Sequence, residues 1–249
     1  MERITSLKNP KVMMWRALKE RKGRQETGLF LVEGRKLVGE ALGSDFPVAQ
    51  LLVAEGREGE FDLPGDVPVT ALPEHVLAAV CDTKTPQGIA AVVGMRDAPM
   101  TGKRLVALDG VQDPGNVGTI IRTADAAGFD GVLLSGQCAD VYSPKVLRAT
   151  MGSLFHVPVR VTGDLPGALR ALRAEGFRVL SSQLDGAPFA DAARACRGAL
   201  CLVIGNEGNG VSEDVQAVAD VKVRLPMRGR AESLNAAVAA GIMMYGLME

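Results

Sequence analysis

Three short stretches carry residue types that could do chemistry. The first runs Asn116-Val117-Gly118-Thr119-Ile120-Ile121-Arg122-Thr123-Ala124-Asp125-Ala126-Ala127-Gly128. It puts an asparagine at an expected helix start and an arginine further along a mostly apolar helix. A guanidinium offers a planar fork of donors that suits phosphate. The plainer reading is a cap and an arginine that reaches the surface. The second stretch is Gly205-Asn206-Glu207-Gly208-Asn209-Gly210. Glycine lets backbone approach a ligand closely. Yet the spacing is neither a dinucleotide fingerprint nor a phosphate loop, since no Gly-Lys-Ser/Thr follows. A dinucleotide or triphosphate site is therefore disfavoured, and a long glycine turn is the bland alternative. The third stretch is Leu225-Pro226-Met227-Arg228-Gly229-Arg230-Ala231-Glu232-Ser233-Leu234-Asn235. Ser233 reads as a fair N-cap. That account leaves Asn235 and the two arginines unexplained.

The elements around these stretches read as alternating strands and helices. Apolar runs at 200–204 and 221–225 look like strands, and each empties into one of the loops. A helix is expected from Ser233 to the end. Ligands of open α/β sheets sit at the carboxyl ends of strands, so this region reads as a small-molecule site made mostly of main chain. Upstream, strands at 105–108, 132–134 and 179–181 alternate with helices at 117–127, 144–150 and 165–174, with an extended piece at 155–161. This order implies a parallel sheet with helices on both faces. Residues 236–248 are apolar nearly all round, which implies burial of that helix.

Residues 1–95 form a separate pattern. Asn9-Pro10 opens a helix with Val12, Trp15, Leu18 and Lys19 at helical spacing. The stretch 23–28 breaks it. Strands follow at 29–33, 50–53 and 88–93, with helices at 34–42 and 73–80. A stretch with proline and glycine at 94–102 marks a domain boundary, giving domains 1–95 and 103–249.

With 249 residues, 47% of them apolar, the chain can bury a proper core. The net charge of −1 excludes a generic polyanion binder. The first forty residues are nonetheless basic: Arg3, Lys8, Lys11, Arg16, Lys19, Arg21, Lys22, Arg24, Arg35 and Lys36. A local basic face can bind nucleic acid when the total is neutral; a solvated helix face is the alternative. Cys81, Cys138, Cys196 and Cys201 form no CxxC pair, and His75 and His156 are not near them at ligand spacing, so no metal is expected. Scattered cysteines fit a reducing cytosol. The charged N-terminus does not read as a signal peptide, and no apolar run suits a membrane span. A cytoplasmic protein with no membrane contact is expected.

Taken together and in this order, the three stretches resemble the SpoU (TrmH-like) family of RNA ribose 2′-O-methyltransferases, part of the knotted SPOUT class. The pattern N-x-G-x-x-x-R-x-A-x-x-x-G is matched by Asn116, Gly118, Arg122, Ala124 and Gly128. A G-x-E-x-x-G loop is matched by Gly205, Glu207 and Gly210. The P-M … S-L-N helix start is matched by Pro226, Met227, Ser233, Leu234 and Asn235. The stretch 148–155 is also similar to the family's segment between its first two motifs. The resemblance covers residues 105–245, and residues 1–95 are more loosely similar to a ribosomal-protein-like (L30e-like) substrate-binding domain. Gly246 departs from the acidic residue that often follows the last tyrosine.

The resemblance implies a parallel-sheet SPOUT domain with a trefoil knot, S-adenosyl-L-methionine as cofactor and ribosomal or transfer RNA as partner, ribosomal favoured. It implies a homodimer, with the 236–248 helix in the dimer interface or the knot core. Main-chain atoms of Gly205, Leu225 and Leu234 would read adenine and ribose, with Ile204, Met227 and Asn235 completing the cofactor site. Arg122 would clamp the phosphate beside the target ribose and polarise its hydroxyl. Asn116 and Asn235 would orient substrate or the methionine end, and Glu207 and Ser233 would hold the loops and could contact the ribose. A base methyltransferase of the same class and an RNA-binding or ribosome-assembly protein without activity remain open. A nucleotide-dependent α/β enzyme is disfavoured by the missing phosphate loop.

Overall fold

The structure, a computed structural model, describes residues 1–196 and 198–248. Its contacts divide it into two units: Met1–Arg96 with Tyr142–Phe155, and Asp97–Val141 with the described residues from His156 onward.

The first unit runs β1 (Glu2–Arg3), α1 (Pro10–Ala17), α2 (Arg21–Thr27), β2 (Leu29–Glu33), α3 (Arg35–Leu42), β3 (Val48–Ala54), β4 (Val69–Leu72), α4 (Glu74–Val80) and β5 (Ile89–Gly94). The strands form one sheet in the order β1-β4-β3-β5-β2. Asn9 accepts a hydrogen bond from the Lys11 N–H and Pro10 opens α1, as its fixed φ favours. Val12, Trp15 and Leu18 then bury against Leu52, Leu72, Leu77 and Val92. The stretch 23–28, expected to be a break, is mostly helix. Gly28 ends α2 at φ +67, a left-handed cap that glycine adopts without a Cβ clash. Arg24 is buried, and its guanidinium donates to the carbonyls of Leu18 and Lys19 at 2.7 Å each. β1 and β4 were not expected; two and four residues are too short to show a period of two.

Much of the N-terminal basic charge is engaged. Arg3 pairs with Glu55, Lys11 with Glu2 and Arg35 with Glu60, while Lys19 donates to the Ala79 carbonyl near the end of α4. Lys8, Arg16, Arg21 and Lys36 are exposed and have no side-chain partner among the described residues.

The chain continues through β6 (Arg104–Asp109), α5 (Pro114–Ala126), β7 (Gly131–Ser135), α6 (Pro144–Thr150), β8 (Val159–Thr162), α7 (Leu165–Ala174), β9 (Arg178–Pro188), α8 (Phe189–Ala195), β10 (Leu200–Gly205), α9 (Glu213–Gln216), β11 (Val221–Arg224) and α10 (Ala236–Gly246). Apart from α6, these elements build the second unit. Its sheet has the order β11-β9-β10-β6-β7-β8, and every pair is parallel. Leu105, Ala107, Cys201 and Val203 pack with Leu165, Leu169 and Val215 of α7 and α9. The alternate residues Val106, Leu108, Leu202 and Ile204 point to the other face, which α5 and α10 cover while packing on each other. Coverage on both faces explains why these strands read as unbroken apolar runs. The chain leaves β6 toward β7 and leaves β10 toward β11, in opposite directions across the sheet. Such a switch point opens a crevice beyond the strand ends.

α6 belongs with the first unit. The Tyr142 ring lies 4.7 Å from that of Phe30, and Phe155 meets Phe46 edge-on at 5.1 Å. Arg148 pairs with Asp82 at 2.7 Å. The stretch 1–95 does not contain this segment, which is held by rings far apart in the chain. Cys81, Cys138 and Cys201 are buried, and burial pushes the Cys81 and Cys201 thiols up to about 12.

Candidate active site

The loops that follow β6 and β10 meet at the switch point, because Gly205 pairs in register with Asp109. Asp109 accepts from the Ser212 N–H at 2.7 Å. Gly110, at φ +67, donates its N–H to Ser135 Oγ and accepts from Asn206 Nδ2 at 2.8 Å. The second loop closes on itself: Asn206 and Gly210 exchange both backbone hydrogen bonds at 2.9 Å. Asn206 Oδ1 also accepts from the N–H groups of Gly208 and Asn209. A Cβ on Gly205 would overlap the backbone of Gly210 and Val211. Glycine at 205 is thus demanded by the loop's own return, before any ligand is considered.

Asn116 was expected as the cap of the following helix. Asp113 takes that role instead. Its Oδ1 accepts from the Asn116 N–H at 2.8 Å, and α5 starts at Pro114. The Asn116 side chain is thereby freed for tertiary use. Its Nδ2 donates to Glu207 Oε1 at 2.9 Å, and its Oδ1 accepts from Asn235 Nδ2 at 2.9 Å. Asn235 Oδ1 in turn accepts from the N–H groups of Ala237 and Val238. Asn235, rather than Ser233, is therefore the N-cap of α10, which begins at Ala236. One end of this line is a carboxylate that only accepts, and the other is backbone N–H that only donates. Both amides are oriented by that chemistry alone.

Glu207 also accepts from the backbone N–H groups of Gln112 and Asp113, at 3.2 and 3.1 Å. Partial burial works against its charge. The hydrogen bonds from Asn116 and the backbone outweigh that cost and hold the carboxyl below its ordinary value. Glu207 thus ties the loop after β10 to the start of α5, and Asn116 ties both to the start of α10.

Beside this line lies a cavity of ≈ 520 Å³. Ile204, Gly205, Glu207, Leu225, Met227, Ser233, Leu234 and Asn235 all line it. Asn116 does not line it and acts through Glu207 and Asn235. Arg122 does not line it either; it lies on the exposed side of α5 with Thr119 and Ala126 and has no side-chain partner among the described residues. Sequence reading missed Ser182, Gln183 and Leu184, which line the cavity from the extension of β9, as well as Arg224 and Glu232. The β9 extension is polar and carries no strand pattern, so only the adjacent glycine at 186 hinted at it. A Cβ there would strike the backbone of β11.

Residues 225–234 make no hydrogen bond or ion pair among the described residues. Backbone polar groups seldom go unpaired when shielded from water. The backbone polar groups of its cavity-lining residues have no protein partner among the described residues and are open to a ligand's own donors and acceptors. The cavity suits a small molecule read by main chain, with Glu207, Glu232 and Arg224 offering both signs of charge at its wall.

The parallel sheet, its switch-point crevice and the hydrogen-bonded loops define a methyltransferase fold of the SPOUT class, as solved relatives confirm. The structure of an S-adenosylmethionine-bound rRNA methyltransferase from Sinorhizobium meliloti is 35% identical, with a TM-score of 0.89 covering 99% of this chain and 97% of that one. The SpoU methyltransferase AviRb from Streptomyces viridochromogenes, in complex with the same cofactor, is 31% identical with a TM-score of 0.83, covering 97% of each chain. The chain belongs to the SpoU rRNA methylase family, whose model matches residues 103–245. An MRM3-like substrate binding domain matches residues 9–91. The 23S rRNA (guanosine(2553)-2′-O)-methyltransferase RlmP of Bacillus subtilis is 43% identical over 249 residues, 99% of each chain.

Proposed function

We propose that the protein transfers a methyl group from S-adenosylmethionine to a ribose 2′-hydroxyl of ribosomal RNA, with the large-subunit RNA as first candidate. The observation that carries this reading is the Glu207–Asn116–Asn235 line, which joins three separate stretches of chain at one cavity wall. The cofactor supplies an electrophilic methyl on a sulfonium. Ile204, Gly205, Leu225, Met227 and Leu234, which line the cavity, would hold the adenosine portion by main chain and apolar contact. Asn235 and Ser233 orient the methionine end.

Transfer of that methyl to the ribose oxygen would leave the cofactor as a neutral thioether and would require the hydroxyl proton to leave. A guanidinium offers donors and no acceptor, so the role of Arg122 is to grip the phosphate beside the target ribose and polarise the hydroxyl. The proton passes to a phosphate oxygen or water. Asn116 and Glu207 keep the loops in register during this step. Positioning supplies most of the rate gain in such an in-line transfer.

Residues 1–95 are proposed as the RNA-binding domain and residues 103–249 as the methyltransferase domain. Lys8, Arg16, Arg21, Lys36 and Lys84 are exposed basic side chains of this domain without a side-chain partner among the described residues, and so available to phosphate. In α10, Val238, Ile242 and Tyr245 are 51%, 47% and 51% exposed and recur at one-turn spacing, so the helix is buried on one side only. We assign this stripe to a homodimer interface. The knotted threading of the C-terminal segment and action in the cytoplasm belong to the same reading.

Incubation with labelled S-adenosylmethionine and unmodified total RNA tests it, with nucleosides resolved after digestion. Label on a 2′-O-methyl nucleoside from ribosomal RNA is expected. Label on a base, or only in transfer RNA, would overturn the substrate assignment. Absent label together with absent cofactor binding would overturn the enzyme reading itself.

A further inference from the structure

Arg224, Arg228 and Arg230 are exposed, and none of their side chains has a hydrogen-bond or ion-pair partner among the described residues. Arg16, Arg21 and Arg122 are likewise exposed without a side-chain partner among the described residues, but only here do such arginines fall within one short segment beside the cavity. Arg96, Arg148, Arg160 and Arg173 each find a carboxylate, at 3.3, 2.7, 3.0 and 2.6 Å respectively. Arg104 finds the Leu247 carbonyl at the end of α10. Within residues 224–234 the one acidic side chain, Glu232, bridges to none of the three arginines and lines the cavity instead.

The segment has two sides. Leu225, Met227, Ser233 and Leu234 line the cavity, while Arg228 and Arg230 flank the loop tip. A Cβ on Gly229, between them, would meet nothing within 4 Å, so the space on that side of the loop is open. Two unneutralised guanidiniums on the rim of a methyl-donor site suit a ligand with repeated negative charges along its length. Guanidinium is the side chain best matched to phosphate oxygens, through paired parallel hydrogen bonds.

We propose that Arg228 and Arg230 bind backbone phosphates of the RNA strand that carries the target ribose, as a contact separate from Arg122 and from the N-terminal domain. This rests on the methyltransferase reading above. The loop's missing internal hydrogen bonds fit the role: a segment free of protein partners can adjust to both cofactor and strand.

The test uses the full chain with Arg228→Gln and Arg230→Gln combined, and an unmodified 23S ribosomal RNA transcript as probe. RNA affinity is read by equilibrium binding across a salt series, and S-adenosylmethionine affinity by calorimetry. Losing two phosphate contacts on a single strand lowers the slope of log K against log salt by about 1.4, and affinity at low salt falls on the order of tenfold. Cofactor affinity stays at the wild-type value. Arg228→Lys with Arg230→Lys restores most of the slope, since charge rather than loop shape sets it. An unchanged slope in the glutamine variant overturns the proposal. So does a loss of cofactor affinity that accounts for the RNA defect. Because the slope is read by binding, a wild-type protein that binds RNA but methylates no ribose overturns the methyltransferase reading while this test still stands.

Discussion

Asn235 Nδ2 donates to Asn116 Oδ1 at 2.9 Å across a separation of 119 residues. The same asparagine caps α10 with its other atom. One side chain therefore does two jobs, and two substitutions separate them. Asn235→Ala removes both: the lost cap costs about 1 kcal/mol, and the stranded Asn116 oxygen, on a side chain 9% exposed, adds roughly 1–3 kcal/mol. Asn235→Asp keeps the capping oxygen and adds a charge that suits a helix N-terminus, but it sets a carboxylate oxygen against Asn116 Oδ1. Urea unfolding should show a large loss for Ala and a small one for Asp, while cofactor affinity falls in both. Equal stability losses would mean that the cap is not what matters.

Gly205 offers a second test of the loop. Its missing side chain makes room for the returning backbone of Gly210 and Val211. Neither is a flexible group that could swing aside. Gly205→Ala should therefore open the Asn206–Gly210 turn and displace Glu207, costing roughly 1–3 kcal/mol as overpacking does. Cofactor affinity should drop with it. Wild-type stability with weaker cofactor binding would mean instead that the alanine methyl meets the ligand and not the loop.

How far this site was legible in the sequence depends on what each signal measures. The apolar runs that became β6 and β10 were readable because both faces of the sheet are covered there, whereas β11, at the sheet edge, alternates valine with exposed Lys222 and Arg224. The loops after β10 and β11 were readable from their glycines and from the order of the motifs. The caps were not. Asp113 and Asn116 can both cap a helix, as can Ser233 and Asn235, and local propensity does not choose between them. The choice is made by Glu207, which is far away in sequence and draws Asn116 off the helix start. The attachment of Tyr142 and Phe155 to Phe30 and Phe46 is likewise a long-range ring contact with no local signature. The basic N-terminal run was readable as charge, but the sequence did not reveal that Arg3, Lys11 and Arg35 pair with acids.

Glu207 makes the loop sensitive to acid. Its folded carboxyl lies below the unfolded value because hydrogen bonds from Asn116 and the backbone favour the charged form. A depressed carboxyl contributes stability that is fully present above its unfolded pKa and is lost as pH falls through the folded one. Glu207→Gln keeps the shape but turns one of two acceptor oxygens into a donor, set against the Gln112 N–H if the amide oxygen stays with Asp113 and Asn116. The stability gap between wild type and variant should be largest at neutral pH and shrink below the ordinary carboxylate range. Denaturant melts at several pH values read this gap, and a constant gap would mean that the charge of Glu207 contributes nothing.

Arg122 separates chemistry from architecture. It is exposed, outside the cavity lining and without a side-chain partner among the described residues. Surface substitutions of that kind shift stability by no more than about 0.5 kcal/mol, so Arg122→Ala should fold and bind cofactor as the wild type does. If the guanidinium grips the phosphate next to the target ribose, turnover should nonetheless fall by roughly 10²-fold or more, as positioning losses do. Arg122→Lys should recover only part of this, since an ammonium keeps the charge but not the fork. Single-turnover methylation with cofactor affinity measured in parallel gives the answer. Wild-type turnover in the alanine variant would remove Arg122 from the reaction and leave it a solvated arginine on α5.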